Sequence, residues 1–261
     1  MHSVFYEQAG PGVFVSTPST IGPWSGDAQH GGPPSALAAH LLEAHQRVPG
    51  QRLASVTVDI LRPVPIGKLT ARTQVVRPGR RVALLETVLE AGGQEVLRAR
   101  GWRIEVAADP VPETAHDGEP PALPPRQPPV SFPGAQAEGY LTAMEWRYVA
   151  GGGFDQPGPA AAWIRPMIPL LPEHELSPMS RALLVADSGN GLSSMLDPAR
   201  YLFLNVDLTV GLHRDPAGEW LLLDASTAIG VAGTGLATST LSDTTGPCGR
   251  GMQTLLVAPR G

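Results

Sequence analysis

Two tandem runs, each one apolar helix followed by four strand-like segments, predict an α+β fold made of two copies of one module. Three observations carry this. The halves echo each other: residues 58–67 read VDILRPVPIG and residues 206–218 read VDLTVGLHRDPAG. From Pro65 and Pro216 onward they align without a gap, so that Arg77-Pro-Gly-Arg-Arg-Val lies over Ala228 to Gly233. Both helical runs are apolar nearly all round, which fits enclosure rather than a surface position. A proline-dense stretch, residues 109–133, falls between the echoes, where a linker belongs. The expected organisation is a module over 1–108, a linker over 109–133 and a module over 134–261.

In the first module a hairpin is expected from Ser3–Tyr6 and Val13–Thr17 around Ala-Gly-Pro-Gly. WSGDAQHGGPP follows, then Leu37, Leu41 and Ala44 recur at helical spacing and predict a helix over 33–46. Pro33 and Pro34 suit its first turn, where a missing N–H costs nothing. Leu53–Leu61, Lys68–Arg77, Val82–Ala91 and Glu95–Val106 read as strands. The second module repeats the order. Strands are expected at Ala143–Val149 and Ala160–Pro166, and a helix over 177–187 with Ser177 as N-cap and Pro178 first. Four strands then follow at Phe203–Leu212, Trp220–Gly230, Leu236–Asp243 and Gly251–Ala258. A helix this apolar implies a curved antiparallel sheet wrapped around it, and the open edges of two such sheets are satisfied by joining.

Composition narrows the function. The chain has 261 residues, 42% of them hydrophobic, and a formal charge of −5. That charge argues against nucleic acid as a partner. No apolar run reaches the length of a membrane span, and the N-terminus lacks a secretory leader pattern, so a cytoplasmic protein is expected. One cysteine, Cys248, fits that setting and reads as a small buried residue. His40 and His45 lack partners at ligand spacing, so neither metal nor cofactor is expected.

The echo keeps polar residues in one copy only. Asp207, Thr227 and Gln253 of the second half stand over Asp59, Val76 and Trp102 of the first. A mid-strand Asp is costly unless it has a purpose. One active site per pair of halves follows.

These residues resemble a known family. WSGDAQHGGPPSALAAHLLE, VDLTVGLHR, EWLLLDAST and GRGMQTLLV are similar to segments of the double hotdog acyl-CoA thioesterases of the thioesterase II type. The resemblance implies two fused hotdog modules, each a long central helix wrapped by an antiparallel sheet, assembling into a homo-oligomer. It also implies thioester hydrolysis of an acyl-CoA or another acyl thioester, in fatty acid metabolism. Asp207, Thr227 and Gln253 would hold and activate the water, although the family's His after its Asp is Leu208 here.

That assignment fits the chemistry. A carboxylate takes the water's proton, and Thr and Gln side chains fix the water's position. The developing oxyanion needs preorganised donors, which His30-Gly31-Gly32 at a helix start would supply. Asp207 is then expected within hydrogen-bond reach of Thr227 and Gln253. Asp187-Ser-Gly-Asn-Gly reads as a helix C-cap with a turn, or as a polar patch at the substrate entrance. Arg77, Arg80 and Arg81 read as a solvated hairpin tip or as a contact for coenzyme A phosphates. Ala36, Ala38, Ala39 and Leu42, with Leu183, Leu184 and Met195, suggest an apolar tunnel favouring medium or long acyl chains. Two alternatives stand beside this reading. An enoyl thioester hydratase on the same fold would need an Asp-x-x-x-x-His loop, of which no convincing copy is found. A non-catalytic acyl-thioester-binding protein is the other.

Overall fold

The computed structural model describes residues 3–109, 111–112, 114, 118–129, 138–151 and 156–260. The first half contributes β1 (Tyr6–Gly10), β2 (Val13–Ser16), α1 (Gly32–Ala44), β3 (Gln51–Ile60), β4 (Lys68–Arg77), β5 (Val82–Ala91) and β6 (Gln94–Glu105). The second half opens with a short helix, α2 (Tyr140–Ala143), before β7 (Met144–Ala150), β8 (Ala160–Pro166) and α3 (Pro178–Ala186). It continues with α4 (Gly189–Leu192), β9 (Tyr201–Asn205), β10 (Asp207–Leu212), β11 (Leu221–Ile229), β12 (Thr234–Asp243) and β13 (Gly246–Pro259).

The described strands form one antiparallel sheet in the order β1-β2-β4-β5-β6-β3-β10-β13-β12-β11-β8-β7, with β9 also on β13. Read inward from either edge, the two halves follow the same sequence of elements. They meet where β3 pairs with β10, and there Asp59 lies directly opposite Asp207. The echoed segments are therefore neighbours at the centre of the sheet. Alternation decides which face each residue takes: Val56 and Val58 are buried, while Thr57 and Asp59 point outward.

Both long helices lie on the inner face and pack on each other, with the Ser180 hydroxyl donating to the Ala36 carbonyl at 3.1 Å. Ala36, Ala38 and Ala39 have no exposed surface, and these small side chains permit that close approach. The core runs without interruption from Phe5 and Leu37 of the first half to Leu183 and Leu223 of the second. Ser177 caps α3, its hydroxyl accepting from the Ser180 N–H at 3.1 Å, with Pro178 in the first position. Helix α1 stops two residues short of the expected 46. Gln46 takes a left-handed φ of 45°, and the buried Arg103 guanidinium donates to the carbonyls of Leu42, Glu43, His45 and Gln46.

Residues 118–129 contain no helix or strand and lie over the β7–β8 edge. The Trp163 indole donates to the Pro121 carbonyl at 3.1 Å. The Gln127 amide both donates to and accepts from the Tyr148 backbone, at 2.9 and 2.8 Å, taking the place of a further strand. The remainder of the expected linker is described only at 109, 111–112 and 114; 110, 113, 115–117 and 130–133 lie outside the described residues.

Candidate active site

The expected trio does not come together. Asp207 sits opposite Thr254 of β13, and its carboxylate accepts from the Thr254 N–H at 2.6 Å and the Thr254 hydroxyl at 3.0 Å. Thr254 points to the outer face, so its neighbour Gln253 points inward, and the sheet itself separates Asp207 from Gln253. Thr227 shares the inner face with Gln253, but Ala237 lies between them in register, two strand spacings or about 10 Å across. The Thr227 hydroxyl instead meets the Ser193 hydroxyl at 2.7 Å. The cause is a bulge. β9 and β10 both pair with β13, but their registers differ by one residue at Val206. Asn205 is thereby turned inward and Asp207 outward.

A different carboxylate occupies the inner face. Asp187 ends α3, and its side chain is only 3% exposed. One carboxylate oxygen accepts from the Asn205 side-chain amide at 2.8 Å. The other lies 3.0 Å from His30 Nδ1. Gln253, buried against the same turn, donates to the Asp187 carbonyl at 3.1 Å and accepts from the Asn190 N–H at 3.0 Å. Of the residues expected from sequence, His30, Gly31, Gly32 and Gln253 therefore surround this group. Asp187 and Asn190 belong to the turn expected as a C-cap or a polar patch at the entrance, and both stand at the cavity described below; Asn205 was not anticipated.

Glycine is required at the contact. A Cβ on Gly31 would lie 2.8 and 2.9 Å from the two Asp187 oxygens, and one on Gly32 would lie 2.6 Å from the Leu184 carbonyl. The positive end of the α1 dipole thus rests against the carboxylate. Pro33 and Pro34 have no N–H, so the donors this helix start can present are Gly31 and Gly32. His30 is fixed by stacking on Tyr140, ring centres 3.8 Å apart, and the Tyr140 hydroxyl donates to the Leu184 carbonyl at 2.7 Å. Burial holds that phenol far above its ordinary range, so it stays a neutral donor.

His30 Nδ1 is also 3.1 Å from the Gly32 N–H. A single ring nitrogen cannot accept from Gly32 and donate to Asp187 at once. With the proton on Nδ1, His30 donates to Asp187 and the Gly32 N–H is released. With the proton on Asp187, Nδ1 accepts from Gly32.

A cavity of about 380 Å³ opens beside these groups, reached by Asp187, His30, Gly31 and Asn190. Its apolar walls include Ile60, Leu61, Val64, Phe203 and Leu256, and Trp24 stands edge-on to Phe203 at 5.5 Å. None of Ala36, Ala38, Ala39, Leu42, Leu183 or Leu184 lines it. Those side chains are packed into the core, so the tunnel expected along the helices is filled; Met195 is exposed. The hairpin of Arg77, Arg80 and Arg81 is also far away. Gln51 donates to the carbonyls of Gly79 and Arg80, and Gln51 and the cavity-lining Ile60 are the two ends of β3, about 30 Å apart. Cys248 is buried, its thiol pushed up to about 12 chiefly by burial, and it donates to the Leu241 carbonyl.

Among the described residues no group of three or more His, Cys, Asp or Glu is placed to hold a metal, and no helix is long and apolar enough to cross a membrane.

The chain is similar in fold to several solved structures. A provisionally assigned thioesterase from Novosphingobium aromaticivorans is 20% identical with a TM-score of 0.73, covering 97% of this chain and 98% of its own. A hot dog fold protein of unknown function from Alicyclobacillus acidocaldarius is 16% identical, covers 95% and 93%, and has a TM-score of 0.70. The acyl-CoA thioesterase II TesB2 of Mycobacterium marinum is 15% identical, covers 98% and 95%, and has a TM-score of 0.69. No curated protein matches the chain. Two family models do: residues 20–104 match the acyl-CoA thioesterase N-terminal domain and residues 117–257 the acyl-CoA thioesterase C-terminal domain. With the larger match alone spanning more than half of its length, the chain belongs to the acyl-CoA thioesterase family and is a thioester hydrolase.

Proposed function

We propose that the protein hydrolyses medium-chain acyl-CoA thioesters in the Asp187 cavity, with Asp187 rather than Asp207 as the general base. The observation that carries this is the placement of a buried carboxylate against the glycine start of α1, at the wall of a cavity. In this reading the chain is two fused hotdog modules, 1–108 and 134–261, joined by 109–133. The site takes its helix start from one and its carboxylate from the other.

The thioester carbonyl oxygen lies toward the Gly31 and Gly32 N–H groups. As the water oxygen adds to the carbonyl carbon, its proton passes to Asp187 and charge builds on the carbonyl oxygen. Asn205 and Gln253 hold Asp187 and its turn in place, which limits the loss from misorientation. With its proton on Nδ1, His30 donates to the ionised Asp187 and leaves the Gly32 N–H free for the oxyanion. The carbon–sulfur bond then breaks, and the thiol leaves with a proton returned from the Asp187–His30 pair. The apolar wall takes the acyl chain. Because the helix interface is filled, medium chains fit and very long ones do not.

The test is steady-state release of free thiol from hexanoyl-CoA. Asp187→Asn is expected to lower turnover by about 10²- to 10⁴-fold, the usual worth of a general base. Full turnover in this variant overturns the assignment.

A further inference from the structure

The helix pair has a second cavity at its other end. It measures about 410 Å³ and lies where α1 finishes and α3 begins. The layout repeats that of the first: Glu43, in the last turn of α1, faces Ser177 at the start of α3, as Asp187 faces Gly31. The chemistry differs. The Ser177 hydroxyl already caps the Ser180 N–H, and Pro178 has no N–H to offer. Neither position leaves an N–H free for an oxyanion.

What this end has instead is positive charge, in a chain whose net charge is −5. Arg47, Arg52 and Arg103 line the cavity against Glu43 and Asp215. Gln51, also on the wall, is hydrogen-bonded to the adjoining hairpin tip at Gly79 and Arg80. A shallow depression beside that hairpin holds Arg80 and Arg81, whose side chains are 82% and 81% exposed and pair with Glu105 at 3.2 and 3.7 Å. Asp215 holds Arg52 at 3.0 Å and the α1 carbonyls hold Arg103. Arg47 on the cavity wall is exposed, as are Arg80 and Arg81 on the hairpin that Gln51 ties to that wall. Within the cavity Leu53, Val48, Ala44 and Met179 supply an apolar wall. The other titratable groups here are His40 and His174, whose rings are 5.3 Å apart. Burial raises the Glu43 carboxyl to about 7, with the Ser177 hydrogen bond pulling the other way.

We propose that this end of the molecule is a second, non-hydrolysing site for an adenosine phosphate ester of the coenzyme A kind. The phosphates lie on Arg47, Arg80 and Arg81, and the rest of the ligand enters the cavity. Guanidinium forks suit phosphate oxygens, and exposed arginines together with an apolar wall match a ligand with one charged and one neutral part.

The experiment is calorimetric titration of the whole chain with free coenzyme A, comparing wild type with Arg47→Ala/Arg80→Ala/Arg81→Ala. These are surface positions, so the fold is kept, and an unchanged melting temperature checks this. Expected is a binding equivalent in the wild type that the triple variant lacks or binds at least about tenfold more weakly, the worth of one charge-assisted hydrogen bond. Turnover on hexanoyl-CoA is expected to stay the same. ADP displacing that equivalent supports the site with a free nucleotide as a sufficient ligand; displacement only by coenzyme A supports it with the pantetheine arm required. Identical isotherms overturn the proposal, as does displacement by pantetheine but not by ADP. Loss of binding together with loss of turnover also overturns it, and would place catalysis at this end. Asp187→Asn tests the hydrolytic reading separately.

Discussion

The two ends of the α1–α3 pair share one plan and differ in what the first helical turn offers. At one end Gly31 lets a carboxylate touch the backbone, and the Gly32 N–H is shared with the His30 ring, which releases it when Nδ1 carries the proton. At the other, Ser177 occupies the same place and uses its hydroxyl to close the turn. On the proposed reading, a buried acid beside a helix start is not enough for hydrolysis. The acid must also face backbone donors that can be freed, and the Ser177 hydroxyl closes off one of them at the second end.

Three changes probe that comparison. The largest effect is expected from Gly31→Ala, whose methyl would lie 2.8 Å from Asp187 Oδ2 and displace the carboxylate. A shift of that order costs about 10²-fold in turnover. Thiol release measured beside Ser177→Ala, which removes a cap at the other end and leaves turnover alone, makes the contrast direct. Unchanged turnover in Gly31→Ala would break it.

The second change is Glu43→Gln, read by denaturant unfolding against pH. A carboxyl whose folded value is raised to about 7 binds its proton more tightly in the folded chain. Its contribution is complete below the unfolded value near 4.5 and is lost as pH rises through 7. The wild type should lose about 1–3 kcal/mol across that window, and the variant should not. Parallel profiles would show that Glu43 is not buried as described.

The smallest effect belongs to Asp207→Asn. Its carboxylate bonds only Thr254 on the outer face and stands opposite Asp59, a like charge that opposes pairing. Turnover is expected to match wild type, with stability within about 0.5 kcal/mol. A large fall in thiol release would return the base to Asp207.

Much of the fold was legible because it rests on period and repetition. Both helices, the strand order within each half and the Ser177 cap follow from spacing and residue type. His30-Gly31-Gly32 was legible as well, since glycines before two prolines at a helix start have few other uses. The contacts expected of Asp207 fail for a geometric reason. In an unbroken strand Asn205 and Asp207 would share a face, and the bulge at Val206 puts them on opposite ones. Local sequence does not announce such a slip, because both sides of it remain good strand. Asp187 is not singled out as a base because Asp-Ser-Gly-Asn-Gly has the composition of an ordinary turn. Its partners, His30 and Asn205, are distant in sequence and meet only when the sheet closes.

Gln127 has a consequence for the molecule's behaviour in a crowded solution. By bonding both polar groups of Tyr148, it closes part of the ladder at β7 with the chain's own amide. On the far side the Phe5 and Tyr6 N–H groups, at the start of β1, are taken by the carbonyls of Pro169 and Leu170. A long twisted sheet is a template for stacking stray chains, and here each margin is tied back by a segment from elsewhere in the same polypeptide. The polymer carries its own guard against fibre-like growth, and the proline-dense stretch between the modules supplies half of it.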